Sequence, residues 1–182
     1  MTLFPFRDFF TQQNRQLENW DAAKVISFKL CTGYQQEVGS IRDLLVDEHG
    51  HFRYLVVDIK LEDIEKGILL PIGLAHLDYE KGEAIVHRLK PVLLKKLPSY
   101  QLGQTIDDRF EQRVRDVLLP IASCRMGRQF LQQPYTHNGQ YQGVSSGYTP
   151  SSSRNYNHFP NFYGMSEEDN QRPLKQLENQ LI

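Results

Sequence analysis

Apolar residues from Lys24 to Leu89 recur with a period of two, in short runs broken by turn residues. This is the pattern of half-buried strands. Val25, Ser27 and Lys29 alternate with Ile26, Phe28 and Leu30, predicting a first strand that ends near Cys31-Thr32-Gly33. A second strand is predicted from Val38 to Asp47, with a bulge at Gly39 letting it curve and Asp47-Glu48-His49-Gly50 as the tight turn after it. In the third, Leu55, Val57 and Ile59 lie on one face and Phe52, Tyr54 and Val56 on the other. Both faces are apolar, so one lines an interior and the other is covered by an N-terminal helix or by a partner. Ile68 to Ile72 gives a fourth strand, where Pro71 implies an edge or strand-end position because proline lacks the ladder donor. A short fifth from Leu74 to Asp78 turns at Tyr79-Glu80-Lys81-Gly82 into a sixth from Glu83 to Leu89. Six short strands with so little helix between them favour a closed antiparallel barrel over an open sheet.

The period lengthens on either side of this block. Phe6, Phe9 and Phe10 have the spacing of one helical face, predicting a short helix within residues 3–20 that packs on the barrel. Pro91 to Pro98 reads as a helical turn started by one proline and stopped before the next. A longer helix is predicted from about Ile106 to Leu119, capped by Thr105 or Asp107, with a stripe of Phe110, Val114, Val117 and Leu118; Pro120 ends or kinks it. Gln, Asn, Ser, Gly, Pro and Tyr then fill residues 132 to 164, a composition too poor in aliphatic residues to offset chain entropy and therefore read as disordered. Ser166-Glu167-Glu168-Asp169 starts a last helix with Leu174, Leu177 and Leu181 along it. The expected organisation is an N-terminal aromatic helix (1–21), a barrel (22–100), a helical extension (101–131), a low-complexity linker (132–165) and a short amphipathic C-terminal helix (166–182).

Composition adds exclusions. The longest apolar run, Val117 to Ala122, is far short of the roughly 20 residues a membrane-spanning helix needs, and the N-terminus lacks the marks of a signal peptide. A cytoplasmic protein is the expectation, with peripheral association to a membrane left open. Two cysteines, Cys31 and Cys124, are too few and too isolated for a disulfide framework or a paired zinc motif. The net charge of −1 announces neither nucleic acid nor membrane, although residues 37 to 65 hold eight acids against three bases and residues 90 to 128 eight bases against four acids.

Chemistry is sparse. His49 and His51 flank a turn glycine and read as a solvated hairpin tip rather than a metal site. None of the common nucleophile, phosphate-loop, dinucleotide or zinc-protease signatures occurs. Asp43, Asp47 and Asp58 either share a site across neighbouring strands or serve as edge charges that discourage sheet pairing. An RNA-binding sheet would interleave bases with rings on one face, and Arg53 falls on the opposite side from Phe52 and Tyr54. No catalytic, cofactor or metal residue is expected.

The runs Val38 to Asp47, Phe52 to Asp58 and Leu69-Leu70-Pro71-Ile72-Gly73, in this order, closely resemble the PRC-barrel family, over roughly residues 22 to 100. Its members include the cytoplasmic part of the photosynthetic reaction-centre H subunit and a domain of a ribosome-maturation factor. The resemblance implies a mainly β fold, a small six-stranded antiparallel barrel with flanking short helices, used as a binding module without catalysis of its own. The chain departs from the reaction-centre subunit in lacking an N-terminal membrane helix and in carrying Val56 and Val57 where proton delivery would want an acid. The expected function is a non-enzymatic adaptor docking on a larger, photosynthetic or other membrane-bound, protein assembly. An RNA-processing or ribosome-maturation accessory factor is the alternative, and homodimerisation stays open. Candidate partner-binding residues are Phe52, Tyr54 and Val56 on the third strand and Leu174, Leu177 and Leu181 on the end helix.

Overall fold

The structure, a computed structural model, describes residues 3–12, 21–130, 163 and 172–181. Two long hairpins make its centre. Strand β3 (Glu37–Asp47) pairs antiparallel with β4 (Phe52–Leu61), and β4 pairs antiparallel with β5 (Ile64–Pro71) across the turn Glu62-Asp63. The fourth predicted strand therefore starts earlier than its apolar run. Cross-strand pairing of Lys60 with Glu65 and Ile59 with Lys66 carries the polar residues into the ladder.

The first predicted strand is half wrong. Residues Asp21–Val25 form a short helix, α2, and the strand β2 occupies only Lys29–Thr32. Ser27 at φ 86° lies between them, in the left-handed region that interrupts an extended run. Strand β2 pairs antiparallel with the first half of β3 and parallel with β7 (Glu83–Val86), which in turn pairs with β6 (His76–Asp78). A further strand, β1 (Leu3–Pro5), lies against the second half of β3 where a helix was predicted, and the helix α1 (Phe6–Gln12) follows it; residues 13–20 of that predicted helix lie outside the described residues.

Among the described residues the sheet thus has seven strands rather than six, is mixed rather than antiparallel, and does not close: its path runs β5-β4-β3-β2-β7-β6. It nevertheless curls. Six strands laid flat would hold β5 and β6 about 24 Å apart at the usual strand spacing. The chain passes from Pro71 to His76 through a single 3₁₀ turn, Ile72–Leu74, and five residues span at most roughly 18 Å. Only a rolled sheet satisfies both. Bulges supply the curvature: register shifts leave Val38 extra against β2, Arg42 extra in β3 and Arg53 extra in β4. Gly39 sits beside the first of these because a Cβ there would stand 2.2 Å from the Asp58 carbonyl oxygen.

Helix α3 (Pro91–Lys96) has proline in its first turn as predicted. The segment after it covers the outer edge of β5, where the Tyr100 N–H donates to the Gly67 carbonyl at 2.8 Å and Lys66 reaches the Leu97 carbonyl at 2.6 Å. Helix α4 (Asp108–Phe130) is capped by Asp107, whose side chain accepts from the Phe110 N–H at 2.7 Å. It runs through Pro120 instead of ending there. Pro120 faces solvent, so water can take the carbonyl it leaves free, and Ile121 and Ala122 continue the buried stripe of Phe110, Val114 and Leu118. Helix α5 (Arg172–Leu181) closes the chain; the predicted cap Ser166 to Asp169 lies outside the described residues. Among the described residues no helix is long and apolar enough to cross a membrane.

Candidate functional site

Both faces of β4 are buried. Phe52, Tyr54, Val56, Leu55, Val57 and Ile59 all have zero exposure, so the second apolar face read from the sequence is covered by the chain itself. Different segments do the covering. The Phe52 ring packs 5.6 Å from Phe6 of α1, whereas Tyr54 faces α4 and the end of the chain. Arg53, the extra residue of the β4 bulge, stands between them.

Around Tyr54 the cover is polar as well as apolar. Its hydroxyl donates to Glu111 Oε1 at 2.9 Å and lies 2.8 Å from the hydroxyl of Tyr163. One proton cannot serve two acceptors, so Tyr163 donates to Tyr54 and Tyr54 to the carboxylate. The two rings meet edge to face at 5.4 Å. Arg115, one turn after Glu111, places Nη1 3.9 Å from Glu111 Oε2 and also hydrogen-bonds Tyr163. Burial, then the Glu111 charge, pushes the Tyr163 hydroxyl above its ordinary pKa, against the opposing effect of the Tyr54 hydrogen bond and Arg115. Tyr54, Glu111 and Tyr163 thus form a buried chain of partners in which each member satisfies the next.

Helix α5 packs on α2, with Leu174 and Leu177 buried. Two of the three leucines read as partner contacts are thus packed within the chain; the Leu181 side chain lies outside the described residues. Tyr163 corrects the linker reading at its own position, since it is 3% exposed. The rest of 132–165 lies outside the described residues. Sequence reasoning missed Glu111 and Tyr163. Glu111 follows Phe110 in the buried stripe, and Tyr163 is one of many tyrosines in a polar tract, so neither carried a local signal.

The predicted acids do not converge. Asp58 pairs with Arg42 at 3.2 Å, the bulge residue of β3. Asp43 is buried and accepts from the Leu44 N–H at 2.7 Å; burial raises its carboxyl above the ordinary value more than that hydrogen bond, Arg7 and Arg42 lower it. Asp47 ties the β3–β4 hairpin together. Its wholly buried carboxylate accepts from the His49 and His51 N–H groups at 2.9 and 3.0 Å and takes Arg53 on its other oxygen, from Nε at 2.9 Å and Nη2 at 2.8 Å. Gly50, at φ 84°, makes the turn that aims both N–H groups at it. His51 Nδ1 adds a contact at 3.4 Å, and the His49 and His51 rings lie 6.4 Å apart. Cys31 is buried, and burial pushes its thiol up, away from reactivity. Among the described residues no three His, Cys, Asp or Glu side chains gather as metal ligands.

A curled sheet entered through α2, three bulges, and a proline-ended β5, with α3 after the last strand, define a small β module. Residues 21–93 match the model of the PRC-barrel domain, and this part of the chain is a PRC-barrel domain. None of the curated proteins matches the chain.

Proposed function

We propose that the chain is a non-enzymatic adaptor whose PRC-type barrel docks, in the cytoplasm, on a larger protein assembly, a photosynthetic or other membrane-bound complex met at its surface. One observation carries this reading. The Tyr54 region of β4, with Glu111 and Arg115 beside it, holds a tyrosine 109 residues further along the chain, so this surface accommodates a remote protein segment through both apolar and polar contacts. The acids that a catalytic reading would need are engaged otherwise: Asp47 in its hairpin, Glu111 on Tyr54, Asp58 on Arg42.

Native sizing of the tagged full chain from gently lysed cells tests the proposal. The adaptor reading expects migration in an assembly several times the chain's own 21.2 kDa, enriched with membrane complexes. Migration at its own mass overturns it. Salt-sensitive sedimentation with ribosomal particles would favour the RNA-processing alternative; against that alternative stands Arg53, whose guanidinium is held by Asp47.

A further inference from the structure

Among the described residues, the contacts of the end of the chain with the rest of the molecule include two that bury Tyr163, Leu174 and Leu177. One is the Tyr163 hydroxyl on Tyr54, with Arg115 alongside; the other is Leu174 and Leu177, whose helix rests on α2. The first lies on strand β4 of the sheet, but neither contributes a hydrogen bond to its ladder. The strands pair completely without this segment, and α4 brings Glu111 to Tyr54 without it. The 32 residues between Phe130 and Tyr163 join the segment covalently to α4, so release and rebinding would be intramolecular. An amphipathic ten-residue helix is marginal alone in water, so α5 draws its order from the surface on which it rests. These are the properties of a ligand attached to its own receptor.

We propose that Tyr54, Glu111, Arg115 and helix α2 form a docking site for a protein segment, and that Tyr163 and helix α5 are its tethered occupant. The segment blocks the site in cis until a partner of the same chemistry displaces it. That chemistry is a tyrosine followed by an amphipathic helix with leucines three residues apart. The Tyr54–Glu111 pair reads the hydroxyl, because Tyr54, having given its proton to the carboxylate, has only an acceptor to offer an incoming group. A phenylalanine in the place of Tyr163 would leave that buried oxygen without its donor. The Leu174–Leu177 pair reads the helix. Displacement by a partner rests on the adaptor reading; occupancy of the site by the tethered segment does not.

The experiment uses the full chain with a protease site inserted between Gly143 and Val144 and a fluorophore after Ile182. The chain is cleaved after folding and diluted. Anisotropy then reports whether the freed tail stays on the body. The expected result is a tail retained at high concentration and lost on dilution with one midpoint. In the Tyr163→Phe variant that midpoint moves to about tenfold higher concentration. With Leu174→Asp and Leu177→Asp together the tail is lost throughout, while far-UV circular dichroism and the melting temperature of the body hold. An unlabelled peptide of residues 160–182 displaces the labelled tail, and its sequence-scrambled counterpart does not. A tail that is never retained overturns the proposal, as does one that never leaves or whose leucine variant unfolds the body, since the segment would then be part of the core. Purified protein suffices throughout, so failure here is distinct from failure to find the chain in a larger assembly.

Discussion

Replacing Asp47 by alanine tests how the central hairpin is held. The substitution removes a buried acceptor of four hydrogen bonds: two N–H groups of the turn and two from the Arg53 guanidinium lose their partner. Arg53 is only 12% exposed, so water cannot fully replace the carboxylate. Breaking a buried pair by deleting one partner costs about 3–5 kcal/mol. For a chain of this size that lowers the melting temperature by roughly 6–20 °C, at about 2–4 °C per kcal/mol. Asp47→Asn keeps an acceptor for the turn and loses the charge, and is expected to cost about 1.5–3 kcal/mol. Thermal and urea unfolding followed by circular dichroism measure both. A pH series separates charge from shape. Burial pushes the Asp47 carboxyl up, but the His51 N–H, the Arg53 charge and hydrogen bond, and the charge of His51 outweigh it and hold the carboxyl below its ordinary 3.8. The native state therefore binds the proton less readily than the unfolded chain. The stabilisation is complete above the ordinary value and disappears as pH falls through the lowered one. An asparagine side chain at this position has no such titration, so the gap between wild type and Asp47→Asn should narrow below about pH 4. An Asp47→Ala cost under about 1 kcal/mol, or a gap unchanged between about pH 7 and about pH 3, would refute the reasoning.

Two further outcomes follow from the backbone. Gly39→Ala places a methyl group 2.2 Å from the Asp58 carbonyl oxygen and 3.0 Å from the Ile59 Cα, where only backbone can yield; a loss of about 1–3 kcal/mol or more in urea unfolding is expected. Pro120→Ala restores an N–H to an exposed position in the middle of α4, and should raise the melting temperature and far-UV helicity, by up to about 3 kcal/mol of stability.

The hairpins were legible in the sequence because their signal is local. Alternation over Phe52 to Ile59, the Asp47–Gly50 turn and Pro71 are properties of neighbours, and β3, β4 and β5 follow from them. The parallel pairing of β2 with β7 was not legible, since it joins residues far apart whose apolar pattern would equally suit an antiparallel neighbour. The short strand β1 was masked by Phe6, Phe9 and Phe10, which form the helix just after it. For the candidate site, Tyr54 is recognisable as a residue on an apolar strand, but what it meets is not. Glu111 and Tyr163 become partners only because α4 and the chain end converge on that strand, and the charge of one and the polar surroundings of the other disguise their burial.

The parallel β2–β7 pair joins parts of the sheet far apart in the chain. The hairpins of β3, β4 and β5 close loops of a few residues, whereas Lys29 pairs with Glu83 across the whole meander between them. Loop-closure entropy makes such a distant junction more costly to form than a hairpin. The pair acts as the clasp of the roll, so strain or chemical insult at the buried Cys31, which lies within it, should loosen the two ends of the sheet before the central hairpins notice.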